Sequence, residues 1–224
     1  MAQNSVRSLK GGIKNIQGPI VTILVGPSKE PFHVHESTIC TSSLFFKRAM
    51  SGPWKESEEH TLELPEDDPQ IFALYSHWLY VAKIPVIAEA IEGATREEPE
   101  KNSAQEYSDL FKAYVLGDKL LDAKFQNSVI DAIVEKCSTP DAQDGRCYYP
   151  YGDVINYAYQ NTTESAKIRN LLVDIYVDSA LTGWLTRELP QEFLYSVVKG
   201  LIKKRSPHTK HIRAPEYYVH PSGN

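Results

Sequence analysis

The stretch Ile20-Val21-Thr22-Ile23-Leu24-Val25, followed by Gly26-Pro27-Ser28-Lys29-Glu30-Pro31 and then Phe32-His33-Val34-His35, decides the fold class. The first six residues are β-branched or aliphatic and stand between turn formers. Length and composition make them a buried strand. Gly26 to Pro31 reads as a turn. Phe32 to His35 alternates apolar and polar, so a second strand pairs with the first as a hairpin. The spacing then becomes helical. Ile39 and, after a break at Ser42-Ser43, Leu44, Phe45, Phe46 and Met50 suit two short helices. Ser42 or Ser43 can cap the second, because a serine hydroxyl accepts a free backbone N–H of the first turn. Thr61-Leu62-Glu63-Leu64 alternates again and gives a short third strand closed by Pro65. Strands first and helices after them mean an α+β protein. A small sheet must bury one face, and the helices are its only cover.

Downstream, Asp68-Pro69 is a helix start, an Asp cap with Pro at the first helical position. Ile71, Phe72, Tyr75 and Leu79 then share one face, with Trp78 beside them, up to Val81-Ala82. Residues 88–106 are rich in glutamate and poor in apolar residues, and read as an acidic insertion or loop. Helical periodicity resumes at Leu110 and runs to Leu121, and a further helix carries Phe125, Val129, Ile130, Ile133 and Val134. The turn-rich segment from Thr139-Pro140 to Pro150 marks a boundary. Three helical patterns follow, around residues 154–158, 168–180 and 193–202. The chain thus divides into a disordered N-terminus (1–17), an α+β domain (18–137, with the insertion 88–106), an all-helical extension (138–205) and a flexible tail (206–224).

Composition narrows the function classes. The 224 residues carry a formal net charge of −5, which gives no general footprint for nucleic acid. The basic clusters Lys203-Lys204-Arg205 and Lys210, His211, Arg213 are short and read as a solvated tail. Cys40, Cys137 and Cys147 are odd in number and widely spaced, which fits a reduced compartment better than a disulfide framework. Neither a signal peptide nor a run of about 18 apolar residues is visible. The expectation is an intracellular protein, cytoplasmic or nuclear, with no direct contact with nucleic acid or membrane.

With the order of elements in place, the motifs resemble a known family. Phe32-His33-Val34-His35-Glu36-Ser37-Thr38-Ile39-Cys40 resembles the F-x-V-H-K-x-x-L signature of BTB/POZ domains, with Glu36 where lysine is usual. Ser43-Leu44-Phe45-Phe46, Leu62-Glu63-Leu64, Asp68-Pro69, Phe72, Leu79-Tyr80 and Asp109 to Leu121 resemble the later motifs in unbroken order. Val81-Ala82 replaces the usual Thr-Gly. The chain is most similar to BTB proteins of filamentous fungi, in which Gly52-Pro53-Trp54-Lys55-Glu56-Ser57 has a counterpart. The resemblance implies a small sheet capped by short helices, and a protein–protein interaction module in place of a catalyst. It implies protein partners, with self-association through the first helix around Ser37, Thr38 and Thr41, a homodimer or a monomer remaining open. Trp54 and Glu56 fit the hydrophobic-x-Glu pattern by which adaptors of this kind hold a cullin-3 scaffold of a ubiquitin ligase. A transcription- or chromatin-associated oligomerisation factor is the alternative.

Residues of other chemistries lack companions. His33 and His35 point to one face of a strand, but no further metal-ligand spacing accompanies them, so no metal is expected. His35 reads as a hydrogen-bonded histidine at the strand-to-helix junction. Cys40 reads as core. No nucleophile elbow or phosphate loop occurs, and Glu58-Glu59 and Asp67-Asp68 sit in turn or cap contexts. No catalytic residue and no cofactor is expected. Tyr148, Tyr149, Tyr151, Tyr157 and Tyr159 crowd the boundary between domain and extension, where they would pack one on the other.

Overall fold

The computed structural model describes residues 16–51, 60–88 and 98–205. The expected hairpin forms from β1 (Ile20–Val25) and β2 (Glu30–His35), paired antiparallel with Val21 opposite Val34 and Ile23 opposite Phe32. The chain then makes α1 (Glu36–Ser42) and α2 (Leu44–Met50) and returns as β3 (Thr61–Leu64), parallel to β1. The sheet order is β2-β1-β3. Among the described residues two helices lie between β2 and β3, because a parallel neighbour demands a crossover, which a tight turn cannot supply.

β1 is less uniformly buried than its aliphatic composition suggests. Val21, Ile23 and Val25 are fully buried, whereas Thr22 and Leu24 are half-buried. The strand therefore shows the alternation of a sheet with one face in the core. That face receives α3 (Pro69–Val81), started by Asp68, whose carboxylate accepts from the Gln70 N–H at 2.9 Å. Phe72 meets Phe32 edge-on with centroids 5.0 Å apart. Gly26 makes the turn at φ +74°, and a Cβ there would stand 3.0 Å from the Pro69 ring. Both the conformation and the close approach require glycine.

The remaining elements are α4 (Glu98–Lys119), α5 (Ala123–Ser138), α6 (Gly152–Asn161), α7 (Lys167–Ser179), a 3-10 turn (Thr182–Trp184) and α8 (Gln191–Lys204). The architecture is α+β, a three-stranded mixed sheet covered by helices and followed by helices. One difference concerns the acidic stretch: residues 98–106 are helix, not loop. Glutamates are poor in core-forming signal but suit the first turn of a helix, where Glu98 and Glu100 face its positive end and Pro99 is tolerated. Lys203 and Lys204 likewise belong to the last turn of α8, where cations oppose the dipole, and not to a tail.

One hydrophobic core runs through both halves, from Val21 and Ile23 through Phe72, Tyr75 and Phe125 to Ile155, Leu172 and Phe193. α7 and α8 lie side by side in the same direction. Arg169 in the first turn of α7 pairs with Glu192 at the start of α8, and Asp178 pairs with Lys204 at the other end. Among the described residues no helix is long and apolar enough to cross a membrane.

Candidate functional site

The α1–α2 region is built on a buried carboxylate. Asp122, fully buried, caps α5 by accepting from the Phe125 N–H at 3.0 Å. Its other oxygen accepts from the Ser42 hydroxyl at 2.5 Å and the Tyr75 hydroxyl at 3.0 Å. Burial, with the Asp122 charge beside it, drives the Tyr75 phenol far above its ordinary pKa, so it stays a donor. Ser43 adds a second tie. Its hydroxyl donates to the Leu120 carbonyl at 2.6 Å and accepts from the Phe46 N–H at 3.2 Å as the cap of α2. The junction of α1 and α2 is thus bolted to the junction of α4 and α5. Composition signalled Ser43 as a cap, but nothing local in the sequence signals that Asp122 reaches Ser42, 80 residues away.

This anchoring presents a groove of about 560 Å³ along α1 and α2, lined by Ser37, Cys40, Thr41, Leu44 and Lys47 among others. Thr41 is exposed and donates its hydroxyl to the Ser37 carbonyl one turn back, at 2.6 Å. Ser37 is half-buried beside it. Thr38 is only 8% exposed and belongs to the buried side of α1, so it drops out of the candidate face. The reason is helical spacing: residues 37 and 41 are one turn apart and share a stripe, while 38 begins the next. Cys40 lines the groove half-buried while packing against the core, and burial pushes its thiol pKa up to about 11. Sequence reasoning missed Leu44, an apolar side chain 43% exposed, because its neighbours Phe45 and Phe46 give the same composition signal. Glu36 and Lys47 also line the groove and place opposite charges along it. Trp54 and Glu56 lie outside the described residues.

His35 behaves as its sequence position suggests. Its backbone N–H donates to the Tyr80 hydroxyl at 2.9 Å, and its Nδ1 lies 2.9 Å from the same oxygen. His33 lies 3.2 Å from the Thr22 hydroxyl. Among the described residues no cluster of three metal-ligating side chains occurs. Cys137, whose pKa burial raises, lies 3.3 Å from the Tyr107 hydroxyl. That hydroxyl donates to the Tyr148 main-chain carbonyl at 2.6 Å and ties this segment to α4, while the Tyr149 ring meets Trp184 and the Tyr159 ring meets Phe193, both within the extension.

No protein-family model matches the chain, and no curated protein matches it in sequence.

Proposed function

We propose that this chain is a protein–protein interaction module of the BTB/POZ type, a scaffold without turnover. It pairs with a second copy through the α1–α2 groove and holds a cullin-3 scaffold through Trp54 and Glu56. The observation that carries the reading is the groove itself. It combines hydroxyls from Ser37 and Thr41, an exposed Leu44, and Glu36 and Lys47 as opposite charges. A two-fold pairing brings the same patch together with itself, so a patch carrying both signs of charge can satisfy itself. The rigid anchoring of α1 and α2 by Asp122 supports the reading further, since a preordered surface loses less entropy on binding.

The order of hairpin, two short helices, third strand and helix among the described residues supports the reading, since the resemblance implies a small sheet capped by short helices. The cullin component rests on the Trp54-Lys55-Glu56 pattern and its place between α2 and β3. Calorimetric titration with the N-terminal region of a cullin-3 scaffold tests it. The expected result is binding that weakens about tenfold or more in Trp54→Ala and in Glu56→Ala, as for an aromatic anchor with a charged neighbour. Absence of binding at high micromolar concentration removes the ligase role and leaves a self-associating scaffold.

A further inference from the structure

The first turns of α4, the segment 147–152 and the turn at Gly183-Trp184 enclose a depression of about 330 Å³. Its walls are Glu100, Tyr107, Tyr148, Tyr149, Tyr151 and Trp184, with small side chains between them. Among the described residues no lysine, arginine or histidine lines it, and Glu100 is the one carboxylate. Tyr149 and Trp184 meet with centroids 5.2 Å apart and planes at 43°, so the two rings form a corner and not a parallel stack. Tyr176 backs the indole edge-on at 5.8 Å and holds it in place. The polar ends of two tyrosines are engaged elsewhere: Tyr107 donates to the Tyr148 carbonyl, and Tyr148 donates to Asp144 at 2.6 Å. Tyr107 is only 1% exposed, so of these two only the half-buried Tyr148 has ring surface left to offer a ligand.

Aromatic faces carry negative potential and attract cations, most effectively where the cation is weakly hydrated. The chain already uses its rings in this way. The Lys136 ammonium stands 5.2 Å from the Tyr107 centroid, and the Arg169 guanidinium 4.4 Å from that of Tyr159. Lys136 is itself neutralised by Glu106 at 2.5 Å. We infer that the depression binds a methylated ammonium group, seated against Tyr149, Tyr151 and Trp184 with Glu100 balancing its charge. A bare ammonium is strongly hydrated and would lose hydrogen bonds against such walls, whereas methylation spreads the charge and makes the ion apolar at its surface. The group can come from a methylated lysine on a protein or from a free quaternary amine. A second depression of about 390 Å³, on which Lys101 and Asp153 border, shares Ala104, Tyr107 and Tyr151 with the first. It leaves room for a peptide to continue. The site shares no residue with the α1–α2 groove and does not depend on the proposed interaction role.

Calorimetry on the full chain with three probes tests this: a trimethyl-lysine peptide, the same peptide with a neutral carbon isostere of the ammonium, and choline. The cationic peptide is expected to bind about tenfold more tightly than its isostere. Choline binding as tightly as the peptide identifies a free amine as the ligand, and tighter peptide binding identifies a protein side chain. Glu100→Gln and Trp184→Phe, checked for unchanged thermal unfolding, are each expected to weaken the cation severalfold. Equal binding of cation and isostere overturns the proposal. So does no binding of either cation at millimolar concentration, or an affinity unmoved by both substitutions.

Discussion

Asp122 shows how one side chain can fix a surface it does not belong to. Three donors converge on it, the part-buried Ser42 hydroxyl and the buried Tyr75 hydroxyl and Phe125 N–H. Removing the carboxylate strands each of them, and an unsatisfied buried polar group costs about 1–3 kcal/mol. Asp122→Ala should therefore cost about 3–5 kcal/mol in urea unfolding, and Asp122→Asn, which keeps one acceptor oxygen, clearly less. Tyr176 is the opposite case. Its hydroxyl is buried with no hydrogen-bond partner among the described residues. Deleting it removes a desolvated group and keeps the ring against Trp184 and Phe193. Tyr176→Phe should leave stability unchanged or raise it by about 1 kcal/mol in the same measurement. Neither role is written in the local sequence. An aspartate before a helix signals a cap, and the Phe125 bond fulfils that signal. The bonds to Ser42 and Tyr75 join residues far apart in the chain, which no spacing rule reaches.

At the level of elements, legibility follows the period of the apolar residues. The hairpin, β3 and α3 could be read because Val21, Ile23, Leu62, Leu64, Ile71 and Phe72 combine a clear period with the punctuation of Gly26, Pro65 and Asp68-Pro69. The start of α4 could not, because Glu98 to Glu106 stabilise a helix through dipole and propensity and not through an apolar stripe. Of the residues expected on an association face, Ser37 and Thr41 line the α1–α2 groove, Thr38 is buried beneath it, and Trp54 and Glu56 lie outside the described residues. The seam between α7 and α8 depends on a residue that propensity alone would discourage. A Cβ on Gly200 would stand 2.5 Å from a methyl of Val177, a β-branched side chain with little freedom to move aside. Glycine in mid-helix costs up to about 1 kcal/mol against alanine, yet here it permits the close approach. Gly200→Ala should therefore lower stability by about 1–2 kcal/mol and depress the thermal midpoint, reversing the usual sign of that substitution.

Over the whole molecule, the extension is held by its own polar lock as well as by the shared core. Arg169, 7% exposed, donates to Glu192 at 2.9 Å, to the Thr162 hydroxyl at 3.0 Å and to the Tyr159 carbonyl at 2.8 Å, and also reaches the Thr162 carbonyl. It thereby ties the end of α6 to the starts of α7 and α8. Arg169→Ala should cost about 2–4 kcal/mol, mostly from the carbonyls left unpaired, and should loosen the extension before the sheet in hydrogen exchange. Alkaline conditions act on many sites together. Burial raises Cys40 from 9.0 to about 11, and Tyr159 and Tyr176 from 10.0 to about 12. Between about pH 9 and 12 the folded chain then holds more protons than the unfolded one, so stability is full below that window and falls as pH rises through it. Urea midpoints measured across this range should decline steadily.

We propose the α1–α2 groove as a face for association with a second copy. Light scattering over a range of concentrations, on the native chain and on a Ser37→Arg/Thr41→Arg variant, tests it most directly. A dimer is expected for the native chain and a folded monomer for the variant. A native chain that stays monomeric at every concentration, or a dimer that the two arginines leave intact, would contradict it.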